Sequence, residues 1–388
     1  MLGLAFKNAC KIDKFNLAKQ NFFFKFVRNN MDLRLVCKRL NEYANLGIAC
    51  DWDNVGLLVE PSEPLLVKKM FVTNDLTEPV LEEAVKKEVN LIVSYHPAIF
   101  RPLKKLTQSD WKERSIVKCI EKRIAIYSPH TSWDSIDGGI NDWILSAFVT
   151  RKVEPVEPII SLTHPSGFTK NVKLNISSEQ KETLIENITL NESIRYLGAK
   201  KSDQLNGNDD YELEFLTSPK GVGILMESIR SLNKSDLDAF STLRVTNMEK
   251  PLMKNAGLGR VGYLSKPIKL KEAVEIVKSH FQMKTIRLAL ANGKSLDDII
   301  KTIAVGAGSG SKLLNNANAD LIITGEFSHH EILHETHRGV SVIVTDHSNN
   351  ERGYQEFFKE QFSQLLKKYN ENIEIVISEV DRDPLEYL

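Results

Sequence analysis

From residue 65 onward the chain alternates short apolar runs with amphipathic ones: LVKKMFVTND, TEPVLEEAVKKE, NLIVSYHP, DWKERSIVKCIEKR, IAIYSPHTSWD, GGINDWILSAF. The apolar runs read as strands and the segments between them as helices with one apolar face. Strands that each feed a helix predict an α/β layer, with the strands in one sheet and the helices packed on it. The rhythm returns near the C-terminus, through KTIAVGAGSGS, a helix through Leu314, DLIITGEF, a His-rich helix, VSVIVTDHSNNE, a long helix to Lys368 and the strand NIEIVISE. Two halves of similar build predict a two-lobed, pseudo-symmetric α/β core with its site in the cleft between them.

Between the halves the texture changes. Residues 158–250 carry weaker apolar runs, turns such as QLNGNDD and a helix around Gly223 to Asn233, which predicts an inserted smaller α+β domain. The domain plan is then a basic extension over 1–30, a first core half over 31–157, the insertion over 158–250 and a second core half over 251–388. A chain of 388 residues, 42% hydrophobic and 26% charged, has room for two or three domains and a sizeable core.

Several function classes are excluded or narrowed by composition. No run approaches the roughly 18 apolar residues of a spanning helix, so no membrane partner is expected. The formal charge is zero and the sequence pI is near 7.1, so no global basic surface calls for direct nucleic acid contact. Cys10, Cys37, Cys50 and Cys119 form no C-x-x-C pair and are too sparse for a disulfide framework, which predicts a reducing compartment. Within residues 1–30, Lys7, Lys11, Lys14, Lys19, Lys25 and Arg28 stand among Phe22, Phe23, Phe24 and Phe26, with Asp13 the only acid. That composition predicts a mitochondrial targeting segment on an otherwise cytoplasmic protein. A disordered extension, bypassed by a start at Met31, is the alternative.

Polar residues gather where each strand ends: Asn74-Asp75, Tyr95-His96, His130 to Asp134, Glu326, and Asp346-His347. Ligands of open α/β sheets bind beyond the carboxyl ends of the strands. His347 and Glu351 are four apart where a strand gives way to a helix, which puts an imidazole and a carboxylate on one face of the first helical turn. With His96 and Asp134 they make a mixed N/O donor set suited to one or two divalent ions, Zn, Fe or Mn. The loop Gly306 to Ser311 follows a strand and opens a helix, so its N–H groups would either cradle an anion or form a tight turn beside the cleft. It is not a P-loop, since no Gly-Lys-Ser/Thr follows. His330-Glu331-Ile332-Leu333-His334 spells H-E-x-x-H, but a zinc peptidase needs a third ligand and a groove beside the helix, and Gly339 leads at once into a core strand.

Eight motifs in order, Asp51-Trp52-Asp53-Asn54-Val55-Gly56-Leu57, Thr73-Asn74-Asp75, SYHPAIF, SPHTSWD, GLGRVGYL, VGAGSGS, TGEFSHH and DHSNNERG, resemble those of the Nif-three-like family (NGG-one-interacting factor three), also called GTP cyclohydrolase one type two homologues. The resemblance spans roughly Asp51 to Pro384. It implies a dinuclear metal site in the cleft of a two-lobed core, a dimeric or ring-like homo-oligomer, and an insertion similar to PII-like signalling proteins. Its ligand pattern falls on His96, Asp134, His347 and Glu351, with Tyr95 standing where the family has the first His of a pair. A phenol ionises near pH ~10 and is a poorer ligand than imidazole, which weakens the hold on a second metal. The pattern also aligns a His with His330, at the mouth of the cleft.

The expected activity is metal-dependent hydrolysis of a small phosphorylated or heterocyclic substrate. His130, Glu326 and His330 are its acid/base or substrate-contacting candidates, with His334 and His337 on the solvated side of their helix. A satisfied core imidazole is the competing role for His130. The alternative function is a non-enzymatic adaptor for transcriptional co-regulator proteins, which the family name suggests and which would add a nuclear location.

Overall fold

A computed structural model of the chain describes residues 31–201, 210–232, 237–315 and 317–386, so the expected targeting segment lies outside the described residues. Two units emerge. The described residues up to Ile159 and from Lys254 onward form one, and Ile160–Met253 form the other.

The first unit opens with β1 (Met31–Asp32), paired antiparallel with β3 (Leu66–Val67), and α1 (Leu33–Tyr43), capped by the Asp32 carboxylate. Its first sheet has the order β17-β4-β5-β6-β2, where β2 is Gly56–Val59, β4 Lys69–Thr73, β5 Leu91–Ser94, β6 Ala125–Ser128 and β17 Glu374–Ile377. Only β2 runs antiparallel. Helices α2 (Glu78–Lys86) and α3 (Trp111–Glu121) connect the parallel strands. Short helices α4 (Thr131–Ser135) and α5 (Ile140–Leu145) then lead to β7 (Thr150–Ile160).

The second unit is built from β8 (Lys170–Ser177), α6 (Ser178–Ile188), β9 (Ile194–Lys201), β10 (Asp210–Thr217), α7 (Pro219–Leu232), α8 (Leu237–Thr242) and β11 (Arg244–Asn247). Its antiparallel sheet, β11-β8-β10-β9, packs Val172, Leu174, Leu213 and Phe215 against Leu184 and Ile188 of α6 and Leu225 and Ile229 of α7.

The chain returns through β12 (Leu252–Lys269) to the first unit's second sheet, ordered β13-β16-β15-β14-β12-β7. Here α9 is Leu270–His280, β13 Arg287–Ala289, β14 Ile299–Gly306, α10 Ser311–Leu314, β15 Leu321–Thr324, α11 His329–His337, β16 Ser341–Val344 and α12 Tyr354–Lys368. Strands β14, β15 and β16 are parallel, as β4, β5 and β6 are. The core is two lobes of similar build.

Strand alternation explains why these segments read as unbroken apolar runs. In the first sheet Met70, Val72, Leu91 and Val93 face one way, while Phe71, Ile92 and Ile126 face α2 and α3. In the second, Ile303, Val305, Leu321, Ile323 and Ile343 join the first group, and Ala304, Ile322 and Val342 face α10 and α11. One central core therefore gathers the inner faces of both sheets with residues of α1, α5, α9 and α12, including Leu40, Ile144, Val277 and Phe358. Sheets covered on both faces need apolar residues at every position. Among the described residues no helix is long and apolar enough to cross a membrane.

Candidate metal centre

The carboxyl ends of both parallel sheets carry the polar groups. His96 follows β5, with Asn74 and Asp75 after the neighbouring β4, and His347 and Glu351 follow β16. Glu351 is buried, and its two carboxylate oxygens face different imidazoles: Oε2 lies 3.6 Å from His96 Nε2 and Oε1 lies 3.6 Å from His347 Nε2. Among the described residues, the donor atoms of His96, His347 and Glu351 form a group that lies within 4.8 Å of one another. The two rings are 5.1 Å apart.

Each imidazole is oriented from behind. His96 Nδ1 lies 2.9 Å from Asp75 Oδ1, and His347 Nδ1 lies 3.1 Å from Glu326 Oε2. Burial pushes the Asp75 carboxyl up, but the bond from His96 and its neighbours outweigh that and hold it below the ordinary value. An ionised Asp75 only accepts, so His96 Nδ1 donates to it, which turns Nε2 toward Glu351. The two imidazole Nε2 atoms, each 3.6 Å from an oxygen of the same carboxylate, are a donor set able to hold a cation. A carboxylate behind each ligating imidazole is the usual support of a metal site, and the donor chemistry fits a divalent ion.

Glu351 itself is steadied by Asn74, whose Nδ2 donates to Oε2 at 2.9 Å. Burial, with Asp134 and Asp75 nearby, pushes its carboxyl well above the ordinary range, so its charged form is favoured there only beside a cation. Space for one is kept by Gly308: at φ +52° its backbone packs so closely that a Cβ would strike Glu351 Oε1 and lie 2.8 Å from His347 Nε2. The glycine loop is thus a wall of the site. Three of its N–H groups are committed to side chains, Ala307 to Asn141 Oδ1 at 2.9 Å, Gly308 to Asn350 Oδ1 at 3.1 Å and Gly310 to Thr324 Oγ1 at 3.2 Å, which favours the tight turn over the anion cradle.

The segment between His347 and Glu351 also differs from expectation. It is a 3₁₀ turn, Ser348–Asn350, and the α-helix starts only at Tyr354. Side-chain bonds tighten it: Asn349 Nδ2 donates to Thr345 O at 3.0 Å and Asn350 Nδ2 to Gly306 O at 3.3 Å.

Of the remaining expected residues, Tyr95, Asp134 and His130 lie beside this group. Tyr95 is buried, and its hydroxyl donates to Asp134 Oδ1 at 2.7 Å. Burial, with Asp134 and Glu351 close by, raises that phenol well above its ordinary range, so it remains a protonated donor. Burial also raises the Asp134 carboxyl, and Asp134 is not one of the three grouped donors. His130 stands at the start of α4 with φ +35°, its Nδ1 2.7 Å from Asp53 Oδ1. Asp53 Oδ2 accepts from Thr131 N at 3.1 Å and Thr131 Oγ1 at 2.6 Å. The His130 ring lies 5.4 Å from those of His96 and Tyr95, with the exposed rings of Trp52 and Phe100 at 5.9 and 6.3 Å.

His330 is exposed on α11, its ring 5.3 Å from that of His329. In the same helix Glu331 closes a capping box with Ser328, accepting from its N–H at 2.9 Å. That carboxylate caps the helix, so the H-E-x-x-H spelling has a structural cause. Sequence reasoning gave no role to Asn74, Asp75 or Asp53. Their signal was their place in TND, directly after a strand, and in DWDN.

Residues 31–384 match the family described as Duf34/NIF3 (NGG1p interacting factor 3). The bovine (Bos taurus) NIF3-like protein 1 is 38% identical over 359 residues, covering 92% of this chain and 93% of its own length. Human (Homo sapiens) NIF3-like protein 1 is 37% identical over 360 residues, with 92% and 93% covered. Among solved structures, Staphylococcus aureus protein SA1388 superposes with a TM-score of 0.73 at 21% identity, over 93% of this chain and 99% of its own, a likeness of fold.

Proposed function

Since this chain belongs to the Duf34/NIF3 family, we propose that it is a divalent-metal protein that hydrolyses a small phosphorylated or heterocyclic substrate. The observation that carries the reading is the pair of imidazoles, each backed by a carboxylate, converging on the buried Glu351. His96, His347 and Glu351 would hold the ion. Bound there, a divalent cation supplies the positive charge that polarises a phosphoryl or carbonyl oxygen.

The chain's own residues divide the rest. Asp75 and Glu326 keep the imidazoles turned inward. Asp53 accepts a hydrogen bond from Nδ1 of His130, which leaves Nε2 to accept or return a proton as a general acid/base. Tyr95 keeps Asp134 hydrogen-bonded beside the ions' seat, and Trp52 and Phe100 give a flat ring an apolar rest next to His130.

The test is metal analysis of the purified full chain after incubation with Zn²⁺, Mn²⁺ or Fe²⁺, beside His347→Ala, with a screen of phosphomonoesters, phosphodiesters and cyclic amides. Wild type is expected to retain metal and hydrolyse one class, and His347→Ala to lose both. A wild type that retains no metal after reconstitution would sink the proposal.

A further inference from the structure

Beyond β17 the chain does not leave the molecule. It crosses the carboxyl end of the first sheet, and two carboxylates pin it there. Asp381 Oδ2 accepts from Asn74 N at 2.7 Å and from Gln355 Nε2 at 3.4 Å, with Arg352 Nε 3.7 Å away. Asp383 Oδ2 accepts from Ser348 N at 3.2 Å and Ser348 Oγ at 2.9 Å, while its Oδ1 takes the Leu385 N–H at 3.0 Å. Both aspartates are largely buried. Buried carboxylates removed from water are held by such bonds or not at all.

The points they grip are the supports of the donor group. Asn74, held through its N–H by Asp381, is the residue whose Nδ2 holds Glu351 Oε2. Ser348, held by Asp383, directly follows His347 in the 3₁₀ turn, and its Oγ also accepts from Arg352 Nη2 at 2.6 Å. Each lobe's contribution to the site is therefore tied to the same stretch of C-terminal chain. The stretch also stands between two openings onto His96 and Asp75, cavities of about 820 Å³ and about 340 Å³ whose linings share Asp383 and Pro384.

From this arrangement we infer that Asp381–Leu385 is a strap whose two aspartates are positioning residues for the metal site: Asp381 sets Glu351 through Asn74, and Asp383 sets His347 through Ser348. The inference rests on the reading of His96, His347 and Glu351 as metal ligands. Retention of the ion then depends on residues that never touch it, as outer supports of a metal site do.

Full-length wild type, Asp381→Ala, Asp383→Asn and Ser348→Ala are titrated with Zn²⁺ against a chromophoric chelator, and the unfolding temperature of each metal-free protein is recorded. Asp383→Asn leaves one acceptor where two are used, so it is expected to loosen the turn without changing the side chain's size. Each variant is expected to bind Zn²⁺ about 10- to 100-fold more weakly than wild type. Asp383→Asn and Ser348→Ala combined are expected to lose less than the sum of the two single losses, since both act on the Ser348 Oγ–Asp383 bond. Should Asp381→Ala fail to fold, the Asp383 and Ser348 variants decide the matter. Variants that bind Zn²⁺ as tightly as wild type, whatever their unfolding temperatures, overturn the strap alone. A wild type that takes up no Zn²⁺ overturns the metal site and the strap with it.

Discussion

The donors of the site are side chains whose identity announces them, and the residues that make them useful are not. Two histidines and a glutamate at strand ends can be picked out by type and place. Nothing about Gly308 says that its missing Cβ leaves room beside Glu351 and His347, because that fact needs two distant loops brought together. Arg260 is a similar case. Inside GLGRVGYL it is 1% exposed and uses all five donors: Nε and Nη2 on Asp142 at 2.8 Å each, Nη1 on the carbonyls of Gly257 and Gly259, and Nη2 again on Ile136 O. Its partners lie up to 124 residues away. Gly308→Ala puts a methyl group against the donors and places alanine in the left-handed region, which costs about 1–2 kcal/mol of backbone strain. The expected outcome is a metal affinity about 10- to 100-fold lower, with a smaller loss of stability. Chelator competition and thermal unfolding on the same variant separate the two effects. Unchanged affinity would mean that Gly308 does not shape the site.

Elements were legible where the pattern is long, and less so where side chains override it. The parallel strands and α2, α3 and α12 follow from apolar spacing alone. The helical turn expected at His347 is a 3₁₀ turn instead, with the side-chain amides of Asn349 and Asn350 donating to the carbonyls of Thr345 and Gly306. The His-rich helix α11 shows the reverse case, where a catalytic spelling is explained by a cap. Glu331 accepts from Ser328 N, and the Ser328 bonds hold its carboxyl below the ordinary range. A group with a lowered folded pKa stabilises above its unfolded value, near pH ~4.3, and that stability is lost as pH falls through the folded pKa. Glu331→Ala is therefore expected to cost about 0.5–1 kcal/mol at pH 7 while leaving metal affinity intact. Its difference from wild type should shrink below about pH 4, where the wild-type carboxylate also protonates. Urea unfolding at pH 7 and pH 3.5 measures both, and a metal affinity lost with Glu331 would restore a catalytic reading of the helix.

At the scale of the molecule, the repeated strand-helix rhythm made the two lobes legible, and the loss of that rhythm made the insertion visible. The site's assembly was not legible, because His96 and Asn74 come from one lobe and His347, Glu351 and Gly308 from the other. None of the described residues of the second unit is among the grouped donors or the side chains bonded to them. Its core is drawn from its own residues, and its entry and exit are joined by Ser161 N donating to Pro251 O at 2.8 Å. The strands that lead to and from it, β7 and β12, are neighbours in the second sheet. A flexible loop of that length would add closure entropy, about 0.6 kcal/mol for each doubling. Ends already pinned together behave as a short connection, so shortening the loop should bring little gain in stability. A variant in which a short Gly/Ser turn replaces residues 162–250 is accordingly expected to fold, to unfold in one cooperative transition, and to bind metal as the full chain does. Denaturant unfolding read by two probes, with the same chelator titration, tests this. Aggregation of the shortened chain, or loss of its metal affinity, would show that the first unit needs the second to hold its two lobes in register.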